Sequence, residues 1–368
     1  MKMPVRILLI LLCAALIIAL PFTVSAPNML NDVKMELMNE EDDEEEIDFG
    51  KLFFSAACAE DAEEVYEDED LDSGEVSDHA SQYVLPLDFS PAPAPNPDLF
   101  TEDGYEDETI SVKLEHQEME DGTKMHVAYI KIADASQLRT GVANPEKVGS
   151  TRTKTVKTMA KTYNAVIAIN GDNYADAPKK TTFEYRMTQK IRSKGNNLKD
   201  ILIIDDQGDF HLFVKSKGIK EFPDELKKQG RKLVNAFTFG PALVKDGELL
   251  ELDPEYGYNP GGREPRAAIG QTGTLSYVMV IIEAKDRSGK SGFSQSKLAE
   301  FMYGLGCVQA FNLDGGNSAE MVFGEQIIKG MGGGDERTLS DIIYFATAKP
   351  LKDSITGNQF QRTKRFTE

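Results

Sequence analysis

The chain has 368 residues, 40% hydrophobic and 28% charged, with a formal net charge of −20. Most of the acidic surplus sits in residues 27–108, while residues 109–368 are near neutral and lean basic. With no basic stripe and an acidic segment that repels phosphate, a nucleic-acid partner is excluded.

The first 26 residues place Lys2 and Arg6 before an apolar run from Ile7 to Leu20, then the small-residue exit Val24-Ser25-Ala26. That is the layout of a secretory signal. Pro27 hinders cleavage after Ala26, so a removed signal peptide and a retained membrane anchor both fit. The apolar run itself is short of the roughly 20 residues of a full crossing. Either case carries the protein to the outside of the cell or to its surface.

Residues 27–105 alternate acidic blocks, "NEEDDEEEIDFG" and "EDAEEVYEDEDLDSGE", with the Pro-rich "SPAPAPNPD". Such a composition buries too little apolar surface to offset ordering entropy, so it predicts a disordered acidic stalk with a stiff proline spacer. Residues 106–350 are predicted to form the folded domain and residues 351–368 a C-terminal tail. Cys13, Cys58 and Cys307 fall in the signal, the stalk and an apolar run, which makes no disulfide framework. Stability must then come from the core of the 106–350 domain.

In that domain "KMHVAYIKI" alternates as a strand and "TKTVKTMAKTY" as a helix. "NAVIAIN" is a buried strand. "DILIIDDQGDFHLFV", "FGPALVKDGELLEL" and "RAAIGQTGTLSYVMVIIE" are hairpins, turning around residues 205–209, 245–247 and Thr272-Gly273. Ser294 caps a helix with Leu298, Phe301, Met302 and Leu305 on its apolar face, and Gly306 ends it. A strand at Val308 to Leu313 and a last one in "DIIYFATA" follow. Several hairpins and one strand–helix–strand unit predict a single mixed α+β domain.

Polar clusters sit where apolar strands stop: Asn170-Gly171-Asp172, Arg263 with Pro265-Arg266, Asp314-Gly315-Gly316-Asn317-Ser318, and Arg337 with Ser340-Asp341. Strand ends are where scaffolds place chemistry, although each cluster alone also reads as a turn. A competing signal is "AKDRSGKS", residues 284–291, which fits a loosened phosphate-loop pattern between a strand and a helix and would make the protein an NTP hydrolase. Its first Gly is missing and four residues delay the helix. Ser294 and Lys297 resemble the start of a penicillin-binding site, but the Lys-Ser-Gly element precedes them instead of following far downstream. The four histidines, His79, His116, His126 and His211, are scattered without ligand spacing, against a zinc enzyme or a Ser-His-Asp hydrolase.

Taken in order, "NAVIAINGD", "FTFGPALVKDGEL", "REPRAAIGQT", "CVQAFNLDGGNSAEMV" and "ERTLSDIIYF" resemble the phosphodiester glycosidase family. The family pattern differs here at Asn317, usually Gly, at Thr338 and Leu339, and at Ala267. Arg266, Asp314, Gly315, Gly316, Ser318, Arg337, Ser340 and Asp341 match it.

The resemblance implies an exported hydrolase that cleaves the glycosidic bond of a sugar-1-phosphodiester, of the N-acetylglucosamine-1-phosphodiester kind, in cell-envelope or extracellular glycopolymers. A leaving phosphodiester is a stable anion, so a strong general acid matters less than in the two-carboxylate scheme. A cationic clamp matters more. The expected roles are Arg266 and Arg337 as that clamp, with the Gly315 and Gly316 N–H groups and the Ser318 hydroxyl assisting. Asp314, or else Asp341, would activate water or stabilise the oxocarbenium-like centre, and Asn170, Gly171, Asp172, Asn317 and Ser340 would bind the sugar. No cofactor is called for, and a metal requirement is left open. Asn317 and Ala319 keep a second reading open, a domain that binds such glycopolymers without cleaving them.

Overall fold

The computed structural model describes residues 83–175, 182–194, 199–286, 288–331 and 336–349. The expected signal segment, the expected stalk up to residue 82 and the expected C-terminal tail lie outside the described residues. Residues 83–105, predicted as the end of a disordered stalk, are instead packed. Ala92 N–H donates to the Tyr163 carbonyl at 3.2 Å. The buried Arg139 guanidinium donates to the carbonyls of Pro86 at 2.8 Å and Asp88 at 2.9 Å. An extended proline-rich segment needs partners for its carbonyls once it lies on a surface, and a buried guanidinium supplies them.

The chain runs β1 (Gly104–Glu106), β2 (Ile110–Glu118), β3 (Lys124–Ile132), β4 (Leu138–Val142), α1 (Val156–Tyr163), β5 (Ile167–Asn170), β6 (Phe183–Arg186) and β7 (Gln189–Ser193). It continues with β8 (Ile201–Asp205), β9 (Phe210–Phe213), α2 (Phe222–Lys228), β10 (Leu233–Phe237), β11 (Ala242–Lys245), β12 (Glu248–Leu249), β13 (Arg266–Gly273) and β14 (Ser276–Glu283). Last come α3 (Gln295–Gly304), β15 (Gln309–Asn312), β16 (Glu320–Phe323), β17 (Gln326–Lys329) and β18 (Asp341–Phe345).

The strands form three sheets, ordered β1-β2-β3-β14-β13-β15-β11-β12, β7-β6-β10-β8-β9 and β17-β16-β5-β18-β4. The inner faces of all three share one core, in which Ile269 and Met279, Leu202 and Ile204, and Ile167 and Ile343 meet. Each outer face carries one helix: α3 packs through Leu298 and Phe301 beside Ala268 and Val280, α1 through Met159 and Tyr163 beside Ala168 and Ile342, and α2 through Leu226 beside Ile201 and Ile203. This double burial is why β5, β8 and β14 read as nearly unbroken apolar runs rather than as alternating ones.

The α+β expectation holds only roughly, because the described residues are mostly antiparallel β with three short α-helices. The three expected hairpins form, β8–β9, β11–β12 and β13–β14. The last turns at Thr274 and Leu275, two residues beyond Thr272-Gly273, since Gly273 pairs with Ser276. Ser294 caps α3 by accepting Lys297 N–H at 3.2 Å, and Gly306 leaves it at φ 76°. β14 and β15 both pair antiparallel with β13, so the expected strand–helix–strand crossover through α3 is present. A second, unpredicted crossover runs β4–α1–β5 around β18.

These registers bring one set of strand ends together. Asn170 at the end of β5 lies opposite Ile342 at the start of β18. Asn312 at the end of β15 lies opposite Ala268 at the start of β13.

Candidate active site

Glu184 and Arg186 are two apart on β6 and therefore share a face. That face meets Asp172, just past β5, and Asp341, which opens β18. All four side chains are fully buried. Arg186 Nη2 lies 2.8 Å from Asp341 Oδ2 and 3.0 Å from Glu184 Oε2, and it contacts Asp172 Oδ1. The guanidinium also sits 3.9 Å from the centre of the Phe237 ring. Thr238 N–H donates to Asp172 Oδ2 at 2.9 Å, and the Ser340 hydroxyl donates to Asp341 Oδ1 at 2.7 Å. A Cβ on Gly171 would come within 2.1 Å of Asp341 Oδ2, so the residue between these carboxyls has to be glycine.

One guanidinium does not balance three buried carboxylates. Burial, and then the Asp172 charge, raise the Glu184 carboxyl well above the usual range. Burial also raises Asp172, against the pull of Arg186. Burial thus favours the protonated form of Glu184 within this cluster of carboxyls.

Next to this cluster is an edge open to solvent. Asp314, just past β15, has its Oδ2 4.0 Å from Arg337 Nη1; their side chains are 15% and 43% exposed. Arg337 Nη1 also donates to the Ser318 hydroxyl at 2.6 Å. Burial raises Asp314 to about 6, although Ser318, Arg337 and Asn173 pull the other way. Asn317 beside it is exposed. The opening therefore offers one carboxylate that titrates near neutrality, one guanidinium and one amide.

Not every expected residue faces that opening. Arg266 is 2% exposed, and its guanidinium donates to the carbonyls of Phe293, Tyr258, Asn259 and Gly262 at 2.8–3.1 Å. The clamp of two arginines is corrected on this point: Arg266 lies under Gly315 but turns its charge into main-chain carbonyls. The Asn170 amide is likewise taken up, donating to the Asp314 carbonyl at 2.7 Å and accepting Glu320 N–H at 3.1 Å. It ties the Asp314 turn to β16 instead of holding a sugar. Gly316 N–H donates to Pro265 O at 2.8 Å and is not presented to a ligand. Asp172, Ser340 and Asp341 belong to the buried cluster, so their part is to hold the opening in place. Asp314, Ser318 and Arg337 are brought together as expected.

Sequence reading missed Glu184 and Arg186. Two opposite charges at i and i+2 in "FEYRM", flanked by aromatic residues, were the signal for them.

The phosphate-loop reading fails on geometry. The Ser291 hydroxyl accepts Lys285 N–H at 2.8 Å, and Phe293 bridges to Glu264 before α3 begins. Among the described residues no helix N-terminus therefore faces the loop's amides. The histidines are less scattered than their spacing suggested. The β2–β3 register sets His116 opposite His126, with the two Nδ1 atoms 2.7 Å apart.

A fold of three antiparallel sheets around one core, with polar clusters at their strand ends, defines a class. The model of the phosphodiester glycosidase family (NAGPA) matches residues 163–346, and the chain belongs to this family. Its fold is similar to that of the zebrafish N-acetylglucosamine-1-phosphodiester alpha-N-acetylglucosaminidase (NAGPA) catalytic domain auto-inhibited by pro-peptide. The TM-score is 0.50 at 15% identity, covering 69% of this chain and 86% of that one. Over 210 residues the chain is 25% identical to the SPbeta prophage-derived uncharacterized protein YomE of Bacillus subtilis (strain 168). That match covers 56% of this chain and 32% of YomE, so the chain spans about a third of its relative's length. A glycosidase family implies a carbohydrate-derived substrate.

Proposed function

We propose that the protein hydrolyses the glycosidic bond of a sugar-1-phosphodiester, of the N-acetylglucosamine-1-phosphodiester kind. The observation that carries this reading is the pair at the opening, Asp314 with Arg337 4.0 Å away, both reachable by a ligand. Arg337 meets the leaving phosphate and stabilises the charge that builds on it. Asp314, ionised, activates water or stabilises the oxocarbenium-like carbon. Ser318, held by Arg337, adds a hydroxyl beside them. The buried cluster keeps Asp314 in register, and Asn317 at the rim meets the sugar.

Export to a cell-envelope or extracellular glycopolymer is part of the same proposal and is supported by the N-terminal sequence. The test is turnover of a panel of sugar-1-phosphodiesters by the purified protein. The expected result is release of free sugar, and a loss of about 10²-fold or more in Asp314→Asn. Absence of turnover in the wild type, or unchanged turnover in Asp314→Asn, sinks it. One observation favours a binding domain instead: Arg266 is withdrawn, which among the described residues leaves Arg337 at the opening without the second arginine that was expected. Affinity for sugar phosphodiesters without product would establish that reading.

A further inference from the structure

We propose that the substrate carries a row of phosphates rather than one, as a polymer of sugar 1-phosphate units does, and that Arg152 and Lys154 bind the phosphates next to the bond that is cut. This rests on the sugar-phosphodiester reading above and names its substrate class.

Folding sets the loop between β4 and α1 alongside the segment that follows Arg337. Lys154 N–H donates to the Leu339 carbonyl at 2.9 Å, and Leu339 N–H donates to the Lys154 carbonyl at 2.7 Å. The Thr153 hydroxyl donates to that of Thr338 at 2.9 Å. Both sides of this pairing are anchored elsewhere. Ala143 N–H donates to the Ser340 carbonyl at 2.9 Å, and Ser340 N–H donates to Asn173 Oδ1 at 3.2 Å. The loop leaves through Thr155, whose hydroxyl caps α1 by accepting Thr158 N–H at 3.2 Å. Arg152 and Lys154 are thus fixed at the backbone beside the segment that brings Arg337 to the opening.

Their charge is not used within the protein. Both side chains are exposed, and among the described residues neither is paired with a carboxylate. Lys147 on the same loop and Lys190 on β7 are exposed too and extend the row. The loop rests on β7 there, since a Cβ added to Gly149 would lie 3.0 Å from Ile191 Cγ2. Against these cations the loop carries Glu146, at its far end, and the Arg337 segment carries Glu336, which faces the buried Glu320. Burial, and then Glu336, raise Glu320 to about 8, so this pair carries a single negative charge at neutral pH. The balance is positive. No stretch of the sequence shows the row, because its members come from three segments that only the fold joins.

Unpaired like charges repel one another and attract a ligand of the opposite sign. One sugar phosphodiester brings one negative charge, and Arg337 meets it. The row runs up to Arg337, so what it holds is continuous with the group whose bond is broken: further phosphates on the same chain.

The test compares hydrolysis of the methyl phosphodiester of N-acetylglucosamine with that of four N-acetylglucosamine units joined through 1-phosphodiesters. Wild type should prefer the tetramer, per bond, by about 10-fold or more in kcat/KM at low salt, and the preference should shrink at about 0.5 M sodium chloride. The double variant Arg152→Gln, Lys154→Gln, with melting as the check on folding, should lower kcat/KM on the tetramer about 10-fold more than on the methyl phosphodiester. If wild type cleaves the methyl phosphodiester and shows no preference, or the double variant keeps the preference, the row is overturned while the sugar-phosphodiester reading stands. If wild type cleaves neither compound, that reading falls and takes the row with it.

Discussion

At the scale of single residues the account turns on Asp314, the reachable carboxylate, raised by burial to about 6. If it acts as the ionised form, kcat/KM should climb as pH rises through about 6 and level off above it. A profile that falls through this range would make Asp314 a proton donor instead. The same shift bears on stability. The folded-state value lies above the ordinary 3.8, so the folded protein binds the proton more tightly than the unfolded chain. The burden is absent below about 3.8, where both states are protonated, and complete above about 6, where both are ionised. Asp314→Asn should therefore lose activity and yet gain about 1–2 kcal/mol at pH 8, the gain vanishing near pH 3.5. Denaturation midpoints at the two pH values test it, and equal midpoint differences would contradict it. Arg186 behaves oppositely. Arg186→Met leaves Asp172 and Asp341 buried without their cation, at a cost of about 3–5 kcal/mol.

At the scale of elements, the ends of β5, β15 and β18 build the site through contacts that no side chain of ordinary size survives. The Gly171 position is filled by the Asp341 carboxyl, at 2.1 Å from where a Cβ would stand. Gly171→Ala should separate β5 from β18 at this end, lowering stability by about 2–4 kcal/mol and activity with it. Unchanged thermal unfolding would show that the two strands tolerate the shift. Much of this level was legible in the sequence, because hairpins and helix caps are local: the β8–β9 turn, Ser294 and Gly306 are specified by neighbouring residues. The glycine and carboxylate clusters that mark the strand ends were legible too. What each side chain points at was not. Arg266 matched the family pattern, yet its direction depends on a loop whose carbonyls need donors. Glu184 and Arg186 lie on a strand whose interior place between β7 and β10 only the sheet order reveals.

At the scale of the whole molecule, three sheets converge on one core, and every described residue of that core lies from Tyr105 to Phe345. Residues 83–105 join this packing through Arg139, which composition alone hid: the proline and acidic content that excludes an independent core does not exclude docking onto one. A protein of residues 83–349 should accordingly fold with the melting temperature of the full chain. A fall of more than a few degrees would show that the removed residues, 1–82 or 350–368, take a structural part.

The central claim is that the bond broken is the one between the sugar carbon and the phosphate oxygen, with Asp314 facing the water. Hydrolysis of a sugar-1-phosphodiester in water enriched in oxygen-18, with both products weighed by mass spectrometry, tests it most directly. The account expects the heavy oxygen in the released sugar. Label in the phosphate, or no product at all, would contradict it.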